Sequence, residues 1–107
     1  READGLAVSS RNVYLSQNNR EIASNVFKIL KKTATTIALG NDVLVACEEA
    51  RSELIFAGFS EIDYFEARHS KTLDLVEKFE SSGRLFAAVW LGSTRLIDNL
   101  EIKDYTD

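Results

Sequence analysis

Proline and methionine are both missing from this chain of 107 residues, and cysteine, histidine and tryptophan each occur once. A lone cysteine excludes an internal disulfide, and a lone histidine with no cysteine beside it makes a poor metal site. Average usage would place about five prolines in such a length, so the helical stretches run without that interruption. The missing methionine leads us to expect a segment of a longer chain. No apolar run approaches the roughly 20 residues of a membrane span, and no basic leader precedes an apolar stretch, so the expected location is the cytoplasm and no membrane partner is expected. Positive charge is also in deficit, with a formal net charge of -4. The basic residues are scattered, and only Lys31 and Lys32 are adjacent, on a helical stretch where a solvated face explains them. This argues against a nucleic-acid partner, which calls for a basic face with aromatics set into it.

What is present describes one small globular domain, 45% hydrophobic and 28% charged. Polar capping candidates at Ser16 to Asn19 precede a helical stripe of Ile22, Val26, Ile29 and Leu30, flanked by Ala23, Phe27 and Ala34. Gly40 stops it, Asn41 or Asp42 caps a second helix with the stripe Val43, Cys47, Ala50, Leu54 and Ala57, and Gly58 ends that one. Cys47 on this stripe reads as a buried structural thiol. The period then changes: Ile62 to Arg68, Leu85 to Leu91 and Thr94 to Ile102 read as strands, with Gly92 and Ser93 as a two-residue hairpin turn. The stretch from Ser70 to Gly83 reads as a loop with a short helical turn around Leu75 to Phe79. The fold class is therefore α+β, an antiparallel helix pair packed on a small, mainly antiparallel three-stranded sheet.

The most informative stretch is Asp4 to Asn12, D-G-L-A-V-S-S-R-N. Serine hydroxyls donate to phosphate oxygens and arginine offers a charged planar fork, so Ser9, Ser10 and Arg11 suit a phosphate ligand, with Gly5 allowing the approach to bend. On composition alone, turn or capping chemistry is the better explanation of the same residues. Three other features have plain structural readings. Trp90, on a dense apolar strand, reads as core. Asp98 and Asn99 beside Arg95 read as turn and cross-strand pairing groups rather than an acid/base set. The acidic pairs Glu48, Glu49 and Asp74, Glu77 read as surface charge rather than a magnesium site.

The run from Arg1 to Ser16, with R-L-I-D-N at Arg95 to Asn99 after L-G-S-T, and the pairs Asp63, Tyr64 and Thr72, Leu73 between them, resembles the C-terminal domain of the pantoate-beta-alanine ligase family over nearly the whole chain. The resemblance implies an ATP-dependent, AMP-forming ligase that joins pantoate to beta-alanine through pantoyl adenylate and releases pyrophosphate. It implies that Val8, Ser9, Ser10 and Arg11 bind ATP, as the counterpart of the Lys-Met-Ser-Lys-Ser type loop of nucleotidyltransferases, with Mg2+ carried on the ATP phosphates. Val8 stands where Met or Leu is common, and His69 stands where the family has Asp. Residues 1–12 would then be a connector and ATP phosphate-binding loop, and residues 13–107 a single C-terminal lid domain. The family's His-x-Gly-His type motif and its pantoate and beta-alanine pockets belong to an N-terminal Rossmann-like domain that nothing here resembles. No complete catalytic set and no metal ligands are therefore expected, and the chain alone should be inactive. A stand-alone, non-catalytic module binding protein or RNA is the alternative.

Overall fold

The order of elements is a 3-10 turn at Ser10–Tyr14, then α1 (Gln17–Ala23), α2 (Asn25–Ala38), α3 (Val43–Ala57), β1 (Glu61–Arg68), β2 (Arg84–Leu91) and β3 (Thr94–Glu101). This computed structural model describes residues 1–76, 78–79 and 82–106. The helices cover one face of an antiparallel sheet in the order β1-β2-β3, which is the α+β arrangement read from the periodicities.

α1 and α3 each begin where a side chain meets an orphan backbone donor, whereas α2 starts at Ser24 without a side-chain cap. The Ser16 hydroxyl accepts from the Asn19 N–H at 3.1 Å and the Asp42 carboxylate from the Val45 N–H at 2.9 Å, the bonds expected of such caps. The first helical stretch is broken once, at Ser24. Its hydroxyl donates back to the Glu21 carbonyl at 2.7 Å, a local bond that competes with the helix ladder and divides α1 from α2. The apolar stripes face inward as their spacing requires, with Ala23, Val26, Leu30 and Ala34 meeting Val43, Cys47, Ala50 and Leu54 in one buried cluster. Burying each larger aliphatic group in it contributes about 1.5–3 kcal/mol.

Strand alternation completes the core. Phe65 and Ala67 of β1, Leu85, Ala87, Val89 and Leu91 of β2, and Leu96 of β3 are buried under the helices. Gly92 sits in the β2–β3 turn at φ +60. The two-residue loop sets Leu91 opposite Thr94, and hence Trp90 opposite Arg95. Between Ile62 and Tyr64 the β1 register slips by one residue, a bulge centred on Asp63. Leu75 does not begin a helical turn. It bridges Arg68, and the Val76 N–H donates to the Ala67 carbonyl at 2.9 Å, because an extended segment satisfies the edge of β1 that a helix would leave open. Glu77, also within that expected turn, lies outside the described residues.

The first twelve residues are tied to this body at several points. The Arg1 guanidinium grips the buried Asp98 carboxylate of β3 with two bonds of 2.6 and 2.8 Å, donates to the Asn99 carbonyl at 2.9 Å, and lies 4.1 Å from the Phe27 ring centroid. Arg20 of α1 pairs with Glu2 and Asp4 at 2.9 and 3.2 Å. Leu6 is buried in the core, and Gly5, at φ +89, passes so close to Phe27 that a Cβ would run into the ring. Asp98 faces the helix layer because strand alternation puts it on the side of Leu96 and Ile102, where a carboxylate without a partner would be costly. Replacing Asp98 by Ala removes one anchor of residues 1–6, its pair with Arg1. Urea unfolding of Asp98→Ala should show a loss of about 1–3 kcal/mol, and an unchanged midpoint would show that the anchor contributes nothing.

Candidate functional site

Between the anchored start and α1, the chain lifts away from the body. Val8, Ser9, Ser10 and Arg11 are all exposed, Val8 to 74%. The loop is nevertheless shaped from below by Asn12. Its buried amide donates to the Glu2 carboxylate and to the Ala7 carbonyl at 3.0 Å, so both ends of the loop close on one side chain. Ser9 caps the 3-10 turn, its oxygen accepting from the Arg11 N–H at 3.2 Å. That bond uses the hydroxyl as an acceptor and leaves its proton free to donate. Among the described residues, the Arg11 guanidinium has no hydrogen-bond or ion-pair partner. A hydroxyl donor and an unpaired cation on an exposed, pre-shaped loop can hold an oxyanion.

Arg11 faces an open groove of ≈ 550 Å³ that it lines with Tyr14, Trp90, Ser93, Thr94 and Arg95. Val8, Ser9 and Ser10 lie outside it. The groove corrects the expectation for Trp90, which is half-exposed on the outer face of the sheet rather than buried in the core. Alternation decides this: Val89 and Leu91 point under the helices, so Trp90 must point away from them. Its indole N–H donates to Asp63 at 3.1 Å, and the same carboxylate oxygen accepts from the Arg95 Nε at 2.7 Å. The bulge is what aims Asp63 across two strands.

Arg95 therefore has Asp63 as its partner rather than Asp98 or Asn99. Asp98 is held by Arg1, and Asn99 accepts from the Arg84 Nε at 2.6 Å, a bond across the strands as its sequence reading requires. The groove set of Tyr14, Ser93, Thr94 and Arg95 was not identified from sequence, although the hairpin turn carried the signal, since a two-residue Gly92-Ser93 turn places Arg95 beside Trp90.

His69 is exposed in the loop after β1, where its backbone N–H donates to the Asp74 backbone carbonyl at 2.8 Å. Glu48, Glu49 and Asp74 are exposed, and among the described residues no group of three or more His, Cys, Asp or Glu is placed to hold a metal ion. Cys47 is buried, and burial pushes its thiol up to about 11, which suits a structural role and not a nucleophile. No helix among the described residues is long and apolar enough to cross a membrane.

Fold and loop together define a small α+β domain that presents an exposed serine-arginine loop beside a one-sided sheet. The model of the family described as pantoate-beta-alanine ligase matches residues 1–101. The chain belongs to that family. It is 47% identical over 102 residues to the pantothenate synthetase of Mesorhizobium japonicum, covering 95% of this chain and 36% of that protein. It is 45% identical over 103 residues to the one from Rhodopseudomonas palustris, with the same shares covered. A crystal structure of pantothenate synthetase from Thermus thermophilus superposes with a TM-score of 0.85 at 34% identity, covering 96% of this chain and 37% of that one. The chain thus spans little more than a third of the length of the relatives it matches.

The site's charges also set an acid response. The Arg95 guanidinium holds the Asp63 carboxyl below its ordinary 3.8, and Arg20, then Asn12, hold Glu2 below 4.5. A carboxyl lowered in the folded state adds stability above its unfolded pKa, and loses it as pH falls through the lower folded value. The double variant Asp63→Asn, Glu2→Gln should therefore lose less Tm than the unaltered chain between about pH 5 and about pH 2. Parallel Tm curves for the two would refute this assignment of the acid response.

Proposed function

We propose that this chain is the C-terminal lid of the ATP site in a pantoate-beta-alanine ligase, with Val8, Ser9, Ser10 and Arg11 as the loop that meets the phosphates. The observation that carries the proposal is the loop itself, exposed, pinned underneath by Asn12, and ending in an arginine without a partner among the described residues. Beside it stands the name of a structural relative: a pantoate-beta-alanine ligase from Francisella tularensis was crystallised with beta-gamma ATP and beta-alanine, and superposes at a TM-score of 0.60 and 28% identity.

In the proposed reaction the pantoate carboxylate attacks the alpha phosphorus of ATP and pyrophosphate leaves, after which the beta-alanine amine displaces AMP to give pantothenate. Charge builds on the departing pyrophosphate, so fixed donors aimed at it lower the barrier more than proton transfer would. Arg11 supplies charge and a two-pronged donor. Ser9 and Ser10 supply hydroxyl donors, and Val8 sets the loop's approach through its backbone. Magnesium belongs to the nucleotide in this reading, bound by its phosphates with few dedicated protein ligands. Base, ribose, pantoate and beta-alanine are recognised by the proposed N-terminal Rossmann-like domain. Because Arg1 to Leu6 are tied to β3 and α1, the lid would close as one body with its loop attached, excluding water from the adenylate.

In a ligase that contains this chain, Arg11→Ala should lower pantoyl-adenylate formation by about ten- to a hundredfold, the worth of a charge-assisted contact to an oxyanion, with its Tm unchanged. Undiminished adenylate formation would remove Arg11 from the mechanism. The 107-residue chain on its own should release no pyrophosphate from ATP in the presence of pantoate. Measurable pantoate-dependent release in a coupled assay would overturn the division of labour between lid and N-terminal domain.

A further inference from the structure

We propose that Arg95 is a second phosphate-gripping cation, so that the groove between the 3-10 turn and the β2–β3 hairpin holds a condensed phosphate between Arg11 on the loop side and Arg95 on the sheet side. The inference rests on the reading of the loop as a phosphate binder, and adds to it a wall contributed by a different part of the chain.

The geometry of Arg95 is the first support. Asp63 takes only the Nε edge of its guanidinium, at 2.7 Å. The two terminal nitrogens have no hydrogen-bond partner among the described residues, and the side chain keeps 31% of its surface open. A guanidinium held at one edge has lost much of its rotational freedom before a ligand arrives, and its remaining donors form the flat edge that matches two oxygens of a phosphate. The carboxylate doing the holding is itself fixed, since the same oxygen accepts from the Trp90 indole at 3.1 Å. The bulge at Asp63 is thus the element that sets the orientation of Arg95.

The composition of the groove is the second. Its lining comprises two arginines, three hydroxyl-bearing residues, Tyr14, Ser93 and Thr94, and Trp90. No carboxylate among the described residues lines it, and the nearby Asp63 balances one of the two cations, so a net positive charge faces the cavity. Donors without acceptor carboxylates select anions, and cations on two walls favour a ligand with charge at both ends, such as pyrophosphate or the beta and gamma phosphates of a nucleotide, over a single phosphate.

The sole tryptophan of the chain stands in this groove, so its fluorescence reports occupancy directly. Titrating the 107-residue chain with inorganic pyrophosphate should give a saturable change in emission, with orthophosphate binding more weakly. Arg95→Gln should weaken pyrophosphate binding about tenfold or more, the worth of a charge-assisted contact. Arg95→Lys, which keeps the charge but replaces the planar two-nitrogen edge by a point ammonium, should lose a similar amount while circular dichroism shows the fold intact. Lys32→Ala, removing a cation that pairs with Glu53 on the helix layer, should bind as the unaltered chain does. If Arg11→Ala weakens binding and neither Arg95 variant does, Arg95 has no such role and the loop reading stands. If the unaltered chain gives no saturable response, or if no variant at either arginine differs from it, the groove is not the phosphate site.

Discussion

A single ion pair between the two ends of the chain sets what the rest of the structure can do. Strand alternation forces Asp98 onto the helix-facing side of β3, among apolar groups, where an unpaired carboxylate would cost several kcal/mol. Arg1 offsets that cost with two charge-assisted bonds and lays its guanidinium on Phe27. Phe27 then limits what Gly5 can be, and Gly5 turns the backbone so that Leu6 enters the core. The loop from Val8 to Arg11 starts from a fixed point only because this chain of contacts is complete.

The one-sided sheet explains where chemistry could be placed. Three strands with helices on one face leave the other face without a covering layer, and apart from the buried Ala88 most of its β2 and β3 side chains keep some exposure. On it the register brings Trp90 opposite Arg95, and the bulge brings Asp63 to both. The 3-10 turn contacts β3 and so sets Arg11 over the same end of the sheet. Inner face and outer face thus divide the work: Asp98 on one side holds the segment that carries the loop, and Arg95 on the other looks into the groove beside it. Along β3 successive residues point to opposite faces, so these two groups fall on different sides and do not compete for each other's charge.

The helices, strands and hairpin were legible because each rests on a local rule. Stripes at spacings of three and four, caps at Ser16 and Asp42, and the Gly92-Ser93 turn all act within a few residues, and the chain obeys them. The Ser24 break and the Leu75 bridge were not legible. The first depends on whether a serine hydroxyl turns back to the helix, and the second on an open strand edge seven residues earlier. In the loop, Ser9, Ser10 and Arg11 were visible as residue types and Val8 only through the family resemblance, and all four are exposed. Trp90 was misread because apolar density along β2 outweighed its parity with Val89 and Leu91. Arg1 and Glu2 were invisible as anchors, since their partners Asp98 and Arg20 are fixed by tertiary structure alone.

That difference has a physical basis which bears on how the loop works. Local rules determine elements, while long-range polar pairs determine where an irregular segment rests, and irregular segments carry binding groups because packing does not claim them. Here the loop is exposed, and the Asn12 side chain holds it from beneath, with its amide oxygen left without a partner among the described residues. In the proposed role, a segment held at its base and free at its tip would pay little to adjust to an oxyanion, with Arg11 already lining the groove. Tightening the loop by further contacts would consume the donors that the proposed phosphate contact uses, and loosening its base would scatter them. The polar pairs at Arg1, Glu2 and Asn12 sit between those limits, and they are the part of the chain on which both the order of the loop and its availability depend.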